Sequence, residues 1–291
     1  LTAYSTALYS TWVFTEELRM LFDAGDGVAA HLLGKSRKVH RVAISHSDRD
    51  HVTGLLQLQQ VVARHNVGLE VLYPADSTGV PRLAEFCRQF DPWSGPYVTW
   101  TPVRPSADVP LENDLVLKVM RNTHVPGPPE VIKSVSYFVV RQVRKLRPEL
   151  RGMAGEEIAR MRAERGEEAL TYVEERGVLA YAGDTGVMSP DPWRGCATLI
   201  HEATFLRPED MDRGPERSQQ HSALPDVLRM VRDVTPEELV LTHFSSRYER
   251  EEILDAVRRE ARELRLACPV YVVPPAEVVT DVLGTKAVYE P

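Results

Sequence analysis

The sequence predicts an α/β domain over residues 1–291, with a surface excursion at about 141–176. Three observations lead there. Short apolar runs rich in β-branched residues recur along the chain. Segments with apolar residues at helical spacing lie between several of them. No internal repeat or long linker divides the chain.

In chain order, residues 7–23 read as two strands, 7–14 and 18–23, joined by a hairpin through Glu16-Glu17. Ala24-Gly25-Asp26-Gly27 ends the second strand and opens a helix over 28–33, with Asp26 placed as its N-cap. Val42-Ala43-Ile44 is a buried strand, helical spacing follows over 54–62, and 69–73 is the next strand. A helix over 80–90 precedes strands at 97–103, 116–121 and 135–140. The composition then shifts. Residues 141–176 are crowded with Arg, Lys and Glu around a helical run at Gly155–Arg165. Strand character returns at 178–181 and 197–200, a helix at 224–231 precedes a strand at 239–241, and a charged helix at Arg250–Leu264 and a strand at 270–273 close the chain.

A hydrophobic content of 43% and a charged content of 26% fit an ordinary globular core and surface. No apolar stretch approaches the ~20 residues of a membrane span, so no membrane association is expected. The N-terminus, which starts at Leu1, shows no basic region followed by an apolar core and hence no signal peptide. Cys87, Cys196 and Cys268 are far apart and form no CxxC pair, which argues against a zinc ribbon and for the reducing cytoplasm. The net charge of -7 means that an RNA substrate would require a local basic surface.

The chemistry concentrates in His46-Ser47-Asp48-Arg49-Asp50-His51, where four potential metal ligands fall within six residues directly after a strand. Successive strand residues point to opposite faces, so ligands this dense require a loop that turns them onto one point. The plainer alternative is a solvated acidic turn. Four later segments also end an apolar strand in a ligand-grade residue: 119–124 in His124, 179–184 in Asp184, 199–202 in His201-Glu202 and 239–243 in His243. One such histidine is usually structural; several suggest strand ends converging on one sheet edge, where ligands and catalysts belong. His31, His40 and His65 lie in less suggestive surroundings and read as surface or packing residues.

The order of these motifs, HxxxDH, a lone His124, Gly183-Asp184-Thr185, His201-Glu202-Ala203-Thr204, a lone His221, and 241–248 reading Leu-Thr-His-Phe-Ser-Ser-Arg-Tyr, resembles ribonuclease Z within the metallo-β-lactamase fold superfamily over roughly residues 18–250. The resemblance implies an αββα sandwich and a phosphodiesterase that trims tRNA 3′ ends with metal-activated hydroxide. It implies two divalent metal ions, most simply zinc. His46 and His124 would hold one with the third loop position, Asp48; Asp50, His51 and His243 would hold the other; Asp184 would bridge them. Asp50 would also orient the attacking group. His221 would protonate the leaving oxygen while Glu202 holds its tautomer. Ser245 and Arg247 would contact phosphate, the alternative for Arg247 being a structural salt bridge. Asp23 would brace the metal loop, and His201 would be structural support. Lys133 and Ser134 flank a strand and receive no role. The resemblance also implies a homodimer.

Three departures from that family matter. Asp48 stands where the pattern has histidine; it would bind directly if the loop closes in, act through water, or leave the first metal weakly held, and it biases that position toward Mn, Fe or Mg. The glycine-rich opening strand is absent or truncated. The excursion lacks the glycine-proline signature of the family's long tRNA-gripping arm. Its first part (Arg141, Arg144, Lys145, Arg147 and Arg151 against Glu149) could touch a phosphate backbone, whereas Glu156, Glu157, Glu164, Glu167 and Glu168 read as a solvated helix face. Two alternative functions follow: a hydrolase of a small phosphodiester or ester, which the acidic charge favours, and a catalytically silent scaffold, for which only Asp48 speaks.

Overall fold

Runs such as Trp12-Val13-Phe14 and Leu239-Val240-Leu241 are apolar on both faces of a strand, and such strands are stable only where both faces are covered. The computed structural model, which describes residues 1–211 and 220–291, covers them in four layers. Strands β1 (Thr2–Thr6), β2 (Ser10–Thr15), β3 (Met20–Phe22), β4 (Arg41–Ala43), β5 (Leu69–Pro74) and β6 (Val98–Val103) lie side by side in one sheet, with β14 (Val278–Val279) outside β1. The second sheet runs in spatial order from β13 (Val270–Val272) through β12 (Glu238–Thr242), β11 (Thr198–Glu202), β10 (Thr171–Tyr181), β9 (Val135–Leu146) and β8 (Leu115–Arg121) to β7 (Asp108–Pro110). Both are mixed: β3 to β6 and β10 to β13 are parallel, the rest antiparallel.

Alternation sorts each strand between two cores. Val13, Met20, Phe22, Ile200 and Val240 pack between the sheets. Trp12, Phe14, Leu21 and Val42 face outward onto helices α1 (Val28–His31), α2 (Arg49–Val52) and α3 (Leu55–Arg64) and the first turn of α4 (Gly79–Phe90). Leu199, Leu239 and Leu241 face the other way, onto α7 (Leu224–Val234) and α8 (Arg250–Leu264). The result is the αββα sandwich expected from the motifs. The parallel strands β4, β10, β11 and β12 all deliver their C-terminal ends to one edge, where open α/β sheets place their sites.

Several local expectations need correction. Thr2–Thr6, over which the sequence reading places no strand, forms β1, paired with both β2 and β14. Residues 7–9, read as strand because Leu8 and Tyr9 are strand formers, make the β1–β2 turn instead; both are exposed and Leu8 adopts φ +69°. Asp26 does not cap α1. Gly27 takes that position at φ +78°, and the Asp26 carbonyl accepts the Ser10 hydroxyl (2.8 Å). Helix α1 ends at His31 and passes into a 3-10 turn over Leu33–Lys38. The last strand is β14 rather than 270–273.

The excursion is smaller than its composition suggests. Its two flanks, 141–146 and 171–177, continue β9 and β10 as an antiparallel ribbon, and only α5 (Gly155–Arg165), α6 (Glu167–Leu170) and short turns stand beyond it. Charge obscured the strands. Lys145 reaches Glu174 diagonally across the ribbon (2.6 Å), Tyr172 being its direct partner, and Arg176 joins the same carboxylate from its own strand (3.1 Å). Ion pairs thus join the strands where apolar contacts do elsewhere.

Candidate metal centre

The loop after β4 is shaped by a residue outside it. Asp23 follows β3 in the left-handed region (φ +54°), fully buried, and its carboxylate accepts the Ser45 N–H (2.7 Å), the Ser45 hydroxyl (2.7 Å), the Tyr181 hydroxyl (2.7 Å) and His51 Nδ1–H (2.8 Å). The last bond fixes the His51 tautomer and leaves Nε2 bare. The same device recurs. His46 Nδ1 meets the Ser45 hydroxyl (2.9 Å), His124 Nδ1 donates to the Gln220 carbonyl (2.7 Å), and His243 Nδ1 meets the Thr204 hydroxyl (2.9 Å). Four imidazoles are thus oriented through Nδ1 and turn Nε2 toward one volume.

Two donor groups result. Asp50, His51, Asp184 and His243 form one, with His51 Nε2 and His243 Nε2 at 3.2 and 3.1 Å from Asp184 Oδ2, and at 3.6 Å each from Asp50 Oδ2. His46, Asp48 and His124 form the other, with Asp48 Oδ2 at 3.7 and 3.8 Å from the two Nε2 atoms. Asp184 Oδ2 also lies 3.9 Å from His46 Nε2, between the groups. Donors about 2.0–2.2 Å from a shared tetrahedral ion sit roughly 3.3–3.6 Å apart. Nε2 of His46, His51 and His243 is buried without a hydrogen-bond partner among the described residues, a costly arrangement unless something electropositive occupies the volume they face. The donor set fits divalent cations.

Electrostatics divide the cluster. Burial would lower His51 and His124, but Asp184 and Asp23 hold the first well up and Asp48 and Asp184 raise the second. Asp184 and His46, by contrast, lie in the charge states that ligate. Burial works to raise the Asp184 carboxyl, but His243 and His51 beside it hold it well below the usual carboxylate range. Burial and the neighbouring His51 and His124 push His46 well down, toward the neutral form that can ligate. Asp48 does reach the cluster, at the cost of exposure: its side chain is 61% accessible, whereas that of Asp50 is 11%.

A second device hangs beside the cluster. Glu202, at the end of β11 and 1% exposed, accepts the Thr185, Thr204 and Ser222 N–H groups (3.0, 3.1 and 3.2 Å), the Thr204 hydroxyl and His221 Nδ1–H (2.9 Å). The His221 ring packs 4.9 Å from His124 and 5.4 Å from His243, centroid to centroid. Burial opposes its protonation, but the Glu202 carboxylate, by charge and hydrogen bond, reverses this and holds the imidazolium up to about 9. A mostly buried proton donor, 24% accessible, held by a buried carboxylate is a general-acid arrangement.

The remaining candidates divide. His201 lies on the opposite face of β11 from Glu202, buried against Trp193 and bonded through Nδ1 to the Glu202 carbonyl (2.7 Å), outside every donor group. Ser245 and Arg247 sit near the rim. Arg247 Nε donates to the Ser245 hydroxyl (3.1 Å) and its guanidinium stacks 5.4 Å from the Phe205 ring; it forms no salt bridge among the described residues. Lys133 is exposed, and the Ser134 hydroxyl accepts the Val125 N–H (3.2 Å). His31, His40 and His65 lie outside the donor groups.

Residue-type reasoning missed the braces. Asn122 donates to the Val135, Ala182 and Asp184 carbonyls and accepts the His124 N–H (3.1 Å), tying two ligand loops together. Ser45, Thr204 and Tyr181 act similarly. Their only signal was position, at or next to strand ends that carry a histidine or an aspartate.

The four layers and the oxygen–nitrogen donor cluster at the strand ends define a metallo-β-lactamase-fold hydrolase. The family model for a beta-lactamase superfamily domain matches residues 18–244, and the chain belongs to that family. It is 26% identical over 258 residues to chloroplastic tRNase Z TRZ2 of Arabidopsis thaliana, covering 86% of this chain and 68% of that protein. It is 28% identical over 258 residues to a ribonuclease Z of Methanopyrus kandleri, covering 84% and 82%. Among solved structures, the short form of human tRNase Z aligns with a TM-score of 0.61 at 18% identity, over 96% of this chain and 99% of that one. The metallo-beta-lactamase fold protein YhfI of Bacillus subtilis aligns at 0.60 with 14% identity, over 96% and 98%. At these identities the structural likeness speaks for the fold alone.

Proposed function

We propose that residues 1–291 act as one unit, a metal-dependent phosphodiesterase of ribonuclease Z type that cleaves tRNA precursors at the 3′ end. The observation that carries this reading is the Glu202–His221 pair beside the Nε2 cluster, because a phosphodiester leaving as an alkoxide needs a proton at that step. Similarity to proteins named ribonuclease Z supports the substrate class.

One divalent ion would be held by His46, Asp48 and His124 and a second by Asp50, His51 and His243, with Asp184 shared. Zinc suits the imidazole-rich second group, and the carboxylate of Asp48 biases the first toward Mn, Fe or Mg. Ions so bound would neutralise the phosphodiester and lower the pKa of water. In this mechanism Asp50 accepts a hydrogen bond from the attacking water and orients it. Ser245 and Arg247 hold a non-bridging phosphate oxygen, Arg247 being kept extended by its stack on Phe205. His221 delivers its Nε2 proton to the departing oxygen, while Glu202 keeps Nδ1–H engaged so that Nε2 is the nitrogen that donates. The excursion beyond β9 and β10 would serve as a substrate arm, and the family resemblance supports a homodimer. Three free, buried cysteines support a reducing cytoplasm.

Precursor tRNA assayed beside bis(p-nitrophenyl) phosphate tests the reading. Cleavage of both, each lost in Asp184→Ala, is expected. Turnover of the small ester alone would move the assignment to a small-phosphodiester hydrolase, and no turnover of either by a folded, metal-loaded protein would leave a silent scaffold. Two zinc ions per chain retained through dialysis would oppose the assignment made for Asp48.

A further inference from the structure

A groove of about 760 Å³ lies between α8 and the C-terminal segment 272–288, on a surface the metal centre does not use. Arg250, Leu254, Arg258 and Arg262 recur every fourth residue along α8 and line it as one ridge, with Lys286 among the groups from the C-terminal segment. Leu254, Val272, Val278 and Val288 supply apolar lining. Glu277 is the one carboxylate in the lining, and it is taken by Arg250 (3.3 Å). Arg258 holds Asp255 on its own helix (2.7 Å), whereas Arg262 and Lys286 form no ion pair among the described residues. In a chain of net charge -7, Arg250 and Arg258 are matched by Glu277 and Asp255, and the surplus of Arg262 and Lys286 forms a local basic surface.

Topology aims this groove at the metal centre. β12 and β13 end at the sheet edge that carries His243, and α8 runs back from there. At the near end, the Ala276 N–H bonds the Thr6 hydroxyl (2.8 Å) and the Ala7 N–H bonds the Phe244 carbonyl (3.2 Å), next to His243. At the far end, the Val288 N–H bonds the Val270 carbonyl at the start of β13 (2.8 Å). From Arg250 to Arg262 the helix spans roughly 18 Å, the backbone length of about five stacked nucleotides at ~3.4 Å each.

We propose that this groove binds the phosphate backbone of single-stranded RNA flanking the scissile bond, with Arg258, Arg262 and Lys286 contacting phosphates. This rests on the phosphodiesterase reading for its orientation. A charged track with an apolar floor is the arrangement that follows a strand without reading its sequence.

The test combines Arg258→Ala, Arg262→Ala and Lys286→Ala in the full chain, with a labelled 20-nucleotide RNA as probe, binding measured at several salt concentrations, and bis(p-nitrophenyl) phosphate hydrolysis measured alongside. RNA affinity should fall about tenfold or more. The slope of log Kd against log salt should drop by about 2, since each phosphate contact on a single strand contributes ~0.7. Small-ester kcat/KM should not change, which a folding defect would move. Arg258→Lys with Arg262→Lys should bind nearly as the parent, because the contacts are ionic. Unchanged RNA affinity and slope in the triple variant would overturn the proposal, as would a parent protein that hydrolyses the ester yet binds no RNA. RNA bound through these residues by a protein that cleaves no phosphodiester would remove the catalytic reading and leave the groove standing.

Discussion

Glu202→Gln is the substitution whose consequences the geometry constrains most closely. The glutamate is 1% exposed and accepts five hydrogen bonds. Oε1 takes Thr185 N–H and His221 Nδ1–H, and Oε2 takes the Thr204 and Ser222 N–H groups and the Thr204 hydroxyl. A carboxamide of the same size must turn its NH2 toward one set or the other, so at least two buried donors then face a donor. At roughly 1–3 kcal/mol for each buried donor left unmet, the fold should lose about 2–6 kcal/mol. Urea unfolding at pH 7, followed by far-UV circular dichroism, measures this. A pH dependence follows as well. Burial pushes the His221 imidazolium down, and the Glu202 charge and hydrogen bond raise it to about 9. A raised histidine is protonated below that value, so proton donation, and with it kcat, is kept at neutral pH and lost as pH rises through about 9. Without the carboxylate the alkaline limb should move toward neutral. A Glu202→Gln protein as stable as the parent within ~0.5 kcal/mol and with an unmoved alkaline limb would refute both steps.

Three further outcomes follow. Asp23→Ala removes the carboxylate that orients His51 Nδ1 and Ser45; metal affinity, by competition with a chromogenic chelator, should weaken ~10–100-fold, and unchanged affinity would show that the loop orients itself. Gly183→Ala should destabilise by ~2 kcal/mol or more, since φ is +64° and the new Cβ would stand 2.8 Å from Ser45 Cβ; thermal unfolding reads it. Burial pushes the Cys196 thiol up to about 12 and the Cys268 thiol up to about 11, and also raises that of buried Cys87. An aromatic disulfide reagent at pH 8 should therefore titrate none of them in the folded protein and all three in denaturant.

Most helices and central strands were legible because burial on one or both faces leaves a period in the sequence. Arg250–Leu264 has the bounds its spacing predicts, and β12 differs from its expected span by one residue at each end. The failures share a cause. At the β1–β2 turn, Leu8 and Tyr9 are apolar yet exposed, so residue type misled where solvent, not the core, set the environment. In the ribbon, strands 141–146 and 171–177 can be charged because Lys145 reaches diagonally to Glu174, whose direct partner is Val143, a relation that exists only once the two strands are paired. Asp26 lost the cap because Gly27 alone suits φ +78°.

The candidate ligands themselves were visible one by one, since each is a chemically conspicuous residue at the end of an apolar run. By itself the chain's order of residues determined the fold class, the strand-end pattern and the inventory of donors, properties that depend on local periodicity and residue type. Only the tertiary structure decided that Asp48 reaches both His46 and His124, that Glu202 serves His221 while His201 faces away, and that Ser45, Asn122 and Thr204 set the imidazole orientations. These are relations between residues as far apart as Asp23 and Tyr181. Distances across such separations arise from packing two sheets face to face, which no local pattern encodes.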